Sequence, residues 1–139
     1  PLGALAARKA AAGTVATAAS KPAFTKVHTL DELDRAIRSS ARPTMVEFSA
    51  DWCVSCKELE RLTFSDPRVA ERMSRLKLLK VDVTANSVAD RELLRRFNLF
   101  GPPGILLFDV DGIESSASRV IGYQPADTFL ERLDRLLGT

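Results

Sequence analysis

The stretch Ala50-Asp51-Trp52-Cys53-Val54-Ser55-Cys56-Lys57, ADWCVSCK, decides the reading of this chain. It holds both cysteines, with two residues between them, next to the single tryptophan. Four uses of the pair are distinguishable. A structural cross-link stabilises more as the loop it closes lengthens, and a ring over two residues constrains little. A tetrahedral zinc site needs four ligands. Only His28 is available to add to the two cysteines, and it stands before the first predicted helix without ligand spacing, so zinc would require a second chain. An inert buried pair is the third use. The fourth is a redox dithiol, the use signalled by Cys-x-x-Cys beside a strand-helix-strand pattern.

That pattern is present on both sides of the pair. Upstream, Phe24 to Val27 reads as a short strand. Thr29 caps a helix, Glu32 completes a capping box, and Leu30, Leu33 and Ile37 form its apolar stripe. Pro43 ends that helix, and Thr44 to Phe48 reads as a buried strand interrupted only by Glu47. Downstream, Lys57 to Thr63 is predicted helical with Cys56, Leu59 and Thr63 on one side. Asp66-Pro67 opens a further helix as cap and first-turn proline. Leu76 to Val83 is a strong strand. Ser87 caps a helix in which Ala89, Leu93 and Phe97 share a face. After Gly101-Pro102-Pro103-Gly104, Ile105 to Val110 is a strand, Asp111-Gly112 a hairpin turn, and Arg119 to Gly122 the returning strand. Pro125 starts a last helix lined by Phe129, Leu130, Leu133, Leu136 and Leu137 and ended by Gly138.

The order β-α-β-α-α-β-α-β-β-α defines an α/β class. Alternating helices and strands predict parallel pairing through right-handed crossovers, with an antiparallel edge from the last hairpin. The 139 residues suit one domain with its own core. Apolar residues at 45% and charged residues at 27% are ordinary for a globular protein. A net charge of +2 without basic runs broken by aromatics argues against a nucleic-acid partner. Arg91, Arg95 and Arg96 are the densest basic group, spaced as the solvated face of a helix. No run approaches the ~18 apolar residues of a membrane span. Residues 1–22, rich in alanine, read as a linker or an expression-derived remnant, and 23–139 as the folded domain. Such a linker suggests a domain taken from a longer protein.

The predicted placement of the cysteines explains their chemistry. They follow a central strand and open a helix, where unsatisfied N–H groups and partial positive charge favour a thiolate. The thiolate is the nucleophile of disulfide exchange. Cys53, the more N-terminal, is expected to be exposed and to attack. Cys56, one turn on and facing inward, is expected to resolve the mixed disulfide. Val54 and Ser55 set the turn and tune the potential.

Trp-Cys-x-x-Cys-Lys after a strand, with Gly-x-Pro before a later one, resembles the thioredoxin superfamily, which implies a mixed central sheet flanked by helices on both faces. The segment Ser49 to Glu60, then Thr63-Phe64-Ser65-Asp66-Pro67, Val83-Thr84-Ala85-Asn86 and Leu93 to Asp109, narrow the resemblance to the C-terminal periplasmic domain of the DsbD family. It runs from about Phe24 to Leu137. It implies a relay: a transmembrane domain of the same parent protein donates electrons, and an N-terminal periplasmic domain accepts them and supplies disulfide isomerases and cytochrome c maturation. It implies no cofactor beyond the Cys53–Cys56 disulfide, no metal, a periplasmic site at the bacterial inner membrane, and a monomer when isolated. Electron-flow direction is not written in the motif. The competing readings are a free-standing thioredoxin-like reductant or an oxidase, a cytochrome c biogenesis thioredoxin, and a non-catalytic thioredoxin-like binding module.

The same resemblance assigns further residues. Its members carry a buried acid, usually Asp, at the position of Glu47. Glu47 is therefore expected to be a proton donor or acceptor for Cys56, although strand alternation alone also allows it to point outward. Glu60 matches a second acid. Both acids would raise the pKa of Cys53 against the helix effect. Pro103 corresponds to the superfamily's cis-proline opposite the cysteines, exposing the preceding backbone to a partner segment. Here Pro102 has no N–H to offer, and Gly104 stands where Thr is common. Trp52 is expected to pack beside Cys53 and report its redox state. Asp51 reads as a polar neighbour or a turn residue, Lys57 as an active-site neighbour, and Phe100 and Tyr123 as core residues rather than a docking rim.

Overall fold

A computed structural model describes residues 22–139. The proposed linker thus lies, except for Pro22, outside the described residues. The ten elements follow the predicted order: β1 (Thr25–Lys26), α1 (Leu30–Arg38), β2 (Thr44–Ser49), α2 (Val54–Glu58), α3 (Pro67–Met73), β3 (Lys77–Asp82), α4 (Val88–Arg96), β4 (Gly104–Phe108), β5 (Val120–Ile121) and α5 (Ala126–Leu137).

The helix ends follow their local chemistry. Thr29 accepts a hydrogen bond from the Glu32 amide at 3.1 Å. The reciprocal capping box forms instead on α4, where Ser87 and Asp90 exchange bonds at 3.0 Å each way. Asp66 caps α3 by accepting from the amides of Arg68 and Val69, with Pro67 in the first turn. Gly138 closes α5 at φ 76°, in the left-handed region that glycine enters without a Cβ clash.

The sheet order is β1-β3-β2-β4-β5. β3 runs parallel to both β1 and β2. β4 runs antiparallel to β2, and β5 antiparallel to β4. The parallel expectation therefore fails for β4. The nine-residue α4 spans only about 13 Å, and the segment from Phe97 to Pro103 carries the chain back before the strand starts. Gly104, first in β4, pairs with Phe48 near the end of β2, which brings Pro102 and Pro103 to the end of the sheet where Cys53 lies. The Asp111-Gly112 turn forms as expected, with Asp109 Oδ1 accepting from the amides of Asp111 and Ile113. A 3-10 turn at Ser116–Ser118 then delays the returning strand.

Alternation along β2 divides the interior. Val46 and Phe48 join Leu79, Val81, Leu106 and Phe108 beneath α1 and α4. Met45 joins Leu78, Ile105 and Leu107 against α3 and α5. Fully buried side chains such as Phe48 and Phe129 each contribute about 1.5–3 kcal/mol. Among the described residues, no helix is long and apolar enough to cross a membrane.

The helix that the cysteines open is not regular. It begins at Val54 and widens at Leu59–Thr63 into a π turn, closed by the Phe64 amide donating to the Leu59 carbonyl at 2.8 Å. The wider turn keeps both Leu59 and Thr63 buried. It also aims the Thr63 hydroxyl at the Gln124 carbonyl, 2.5 Å away.

Candidate active site around the Cys53–Cys56 disulfide

The two cysteines form a disulfide with Cα atoms 5.3 Å apart. Cys53 is the N-cap of α2, and its Sγ accepts from the Cys56 amide at 3.1 Å. The Cys53 amide donates in turn to the Ala50 carbonyl. Cys56 is buried as expected. Cys53 is only 6% exposed, which corrects the expectation of an open sulfur. It belongs to the buried cluster that holds Phe48, Ala50 and Cys56.

The flanking residues are more open. Val54 is exposed and Ser55 half-buried. Trp52 is 60% exposed. Its indole N–H donates to the Thr84 carbonyl at 3.1 Å, so the ring is drawn toward the loop after β3. The Asp51 amide donates to the Thr84 hydroxyl at 2.9 Å. Asp51 is thus a turn residue that also lines a small cavity with Cys56. The Thr84 hydroxyl itself donates to Asp82, whose carboxyl these bonds hold below the usual range.

On the other side, the Pro102–Pro103 peptide is cis. Pro103 is buried, and its carbonyl accepts from the Gly122 amide at 3.1 Å. The departure at Gly104 has a packing counterpart: a Cβ there would meet the Leu99 methyls at 3.1 and 3.3 Å. Phe100 and Tyr123 are not core residues. Phe100 stands fully in solvent and Tyr123 is 40% exposed.

Behind the disulfide lies a charge cluster. Glu47 is completely buried, and neither carboxylate oxygen has a hydrogen-bond partner. The parallel register of β2 and β3 sets Lys80 beside it, with Nζ 3.7 Å from Glu47 Oε1 and 3.3 Å from Glu60 Oε1. Burial pushes the Glu47 carboxyl up to about 7, Lys80 opposes this, and Glu60 adds to it. Glu60 is half exposed. A cavity of about 150 Å³ lined by Cys56, Lys57, Glu60, Lys80 and Asp82 brings Lys80 and Glu60 up to the inner cysteine, while Glu47 lies behind Lys80 outside its lining. Lys80 and Thr84 are the site residues that sequence reasoning missed. The signal for Lys80 was a cation at an inward strand position, opposite an acid.

A disulfide at a helix N-terminus beside a mixed sheet packed between helices defines a thioredoxin-like domain, and the thioredoxin-like domain family matches residues 30–137. A thioredoxin from Trypanosoma brucei brucei shares the fold, with a TM-score of 0.65 at 23% identity over 86% of this chain and 96% of its own. The C-terminal domain of Neisseria meningitidis DsbD in the oxidised form aligns with 81% of this chain and 99% of its own, at 32% identity and a TM-score of 0.68. The thiol:disulfide interchange protein DsbD of Ralstonia nicotianae is 50% identical over 119 residues, 84% of this chain and 19% of the relative. That of Escherichia coli K12 is 44% identical over 111 residues, 79% of this chain and 20% of the relative. The chain belongs to the family of the DsbD C-terminal domain, and spans about a fifth of the length of these curated relatives.

Proposed function

We propose that this domain carries two electrons between protein disulfides through Cys53 and Cys56. It stands on the periplasmic side of the bacterial inner membrane within a longer membrane protein. In the reduced domain, the Cys53 thiolate attacks one sulfur of a partner disulfide. A Cys53–partner disulfide forms, and the partner's second sulfur leaves as a thiolate. Cys56 then loses its proton and attacks Cys53 Sγ. The internal disulfide closes and the partner departs with both thiols reduced. The Cys56 amide, which already points at Cys53 Sγ, stabilises the thiolate at the start of the cycle.

Glu47 takes the proton of Cys56, and Lys80, which lines the small cavity with Cys56, reaches Glu47 Oε1 at 3.7 Å. A carboxyl near pH 7 exchanges protons readily at neutral pH. Lys80 stays within reach of both acids as the charge between them changes. The electron donor is a dithiol in the membrane part of the parent protein, and the acceptor is its N-terminal periplasmic domain.

The observation that carries this reading is the disulfide capping α2, backed by a buried carboxyl without a hydrogen bond. The test is the equilibrium potential of the pair in a glutathione redox buffer, read by Trp52 fluorescence. A value of about −200 to −270 mV supports a reducing relay, and one near −120 mV supports an oxidant. The absence of a reversible two-electron couple would refute catalysis.

A further inference from the structure

We infer that a second recognition site on α4 grips an acidic segment of the protein whose disulfide this domain exchanges with, and seats an apolar side chain of that segment against Phe100. This rests on the dithiol reading above and adds the chemistry of the partner.

The site is a groove of about 410 Å³ lined by Arg91, Leu94, Arg95, Leu99 and Phe100 together with two asparagines, Asn86 and Asn98. Phe100 is fully solvent-exposed, whereas Phe48, Phe64, Phe97, Phe108 and Phe129 are all buried. Leu94 and Leu99 extend the apolar floor beside Phe100. A single exposed hydrophobe needs no explanation, but a contiguous apolar floor with a polar rim is the form of a docking site.

The rim has one sign of charge, since no acidic side chain lines the groove. The Arg91 guanidinium donates to the Asn86 carbonyl at 2.5 Å, which fixes its position and leaves its charge without a carboxylate. Arg95 forms no ion pair among the described residues. Arg96, next in sequence, reaches away to Asp34 at 3.5 Å. Opposite charge on a partner steers encounter and fixes register.

The groove continues the surface around the disulfide. Phe100 is two residues before Pro102. Asn86 is two residues after Thr84, whose carbonyl holds the Trp52 indole. Two residues of chain span at most about 7 Å, so each wall begins within that reach of a loop framing the cysteines. A segment crossing Cys53 and Trp52 runs on into the groove within a few residues of its own reactive cysteine.

The test uses the whole chain, reduced with dithiothreitol and freed of it. The probes are synthetic peptides with one cysteine held as a thionitrobenzoate mixed disulfide. Each carries a Glu-Glu-Phe-Glu or Lys-Lys-Phe-Lys block within about eight residues of the cysteine, on either side. Thionitrobenzoate release gives the rate. In at least one orientation the acidic peptide should react roughly tenfold faster than the basic one, with the ratio shrinking in 0.5 M salt. Arg91→Glu with Arg95→Glu should abolish or reverse the ratio, which is taken within each variant. Should that double variant misfold, Phe100→Ala on the open surface decides the matter. It should erase the advantage of Glu-Glu-Phe-Glu over Glu-Glu-Ala-Glu.

Equal rates for acidic and basic peptides in both orientations overturn the proposal. So does a ratio unchanged by these variants, or a dimer in sedimentation that Phe100→Ala dissociates. Failure of the dithiol reading looks different: no peptide releases its chromophore.

Discussion

Replacing Glu47 by glutamine should make the oxidised domain more stable at neutral pH and flatten its pH dependence. Glu47 is buried without a hydrogen bond, and its carboxyl is raised from an ordinary 4.5 to about 7. In this interval the folded chain binds a proton that the unfolded chain releases, so stability falls as pH rises from about 4.5 to 7 and then levels off. At about 1.4 kcal/mol per pH unit, the interval costs about 3 kcal/mol by pH 8. Lys80 already opposes burial in setting that value, so its attraction is contained in the figure. Glutamine keeps the shape and removes the charge. Urea titrations followed by far-ultraviolet circular dichroism at pH 5 and pH 8 measure both effects. The wild-type midpoint should drop between these pH values, and that of Glu47→Gln should stay nearly level and lie higher at pH 8. Below pH 4 both should lose stability together, because hydrogen bonds and ion pairs hold Asp66, Asp82 and Asp134 below their ordinary range. Parallel wild-type and variant curves between pH 5 and 8, or a less stable variant at pH 8, would refute the assignment of a strained buried charge.

Other outcomes follow from the same geometry. Lys80→Met removes the cation that lowers the Glu47 carboxyl, so the pH dependence of disulfide exchange should move to higher pH, as stopped-flow rates across pH 5 to 9 would show. Cys56→Ser should accumulate a covalent Cys53–partner adduct visible by mass spectrometry without reductant, and Cys53→Ser should give none. Phe129→Ala empties a site packed against Phe64 at 5.7 Å between ring centroids, and should cost about 3–5 kcal/mol in chemical denaturation.

Much of this was legible one residue at a time. The caps at Thr29, Asp66 and Ser87 and the left-handed stop at Gly138 depend on neighbours within a turn, so the local sequence states them. Burial of Glu47 was not legible in strand alternation, which allows it to point outward as well; the resemblance alone carried that expectation, and the fold buries both faces of β2. Lys80 was not legible either, since its role exists only once the parallel register of β2 and β3 sets it beside Glu47. The direction of β4 was hidden for a related reason: alternation of helix and strand says which face the chain crosses and leaves the sense of the return to the connecting segment. Exposure of Phe100 and Tyr123 escaped a reading that assigns large apolar residues to the interior, because surface recognition and core packing draw on the same residue types.

The widened turn at Leu59–Thr63 has a consequence for insertion and deletion. A π turn holds one residue more than the α-helical turn it replaces. Deleting one residue inside it would let the helix run regularly from Val54 and leave Phe64 facing Phe129, because the wider turn and the α-helical turn that replaces it sweep nearly the same angle. Deleting one residue from the regular turn at Val54–Glu58 would instead rotate everything after it by about 100°. Thr63 would then leave Gln124, and Phe64 would swing off Phe129. The loss of one codon is absorbed at one place in this helix and, a turn earlier, would disconnect the dithiol from the last helix of the fold.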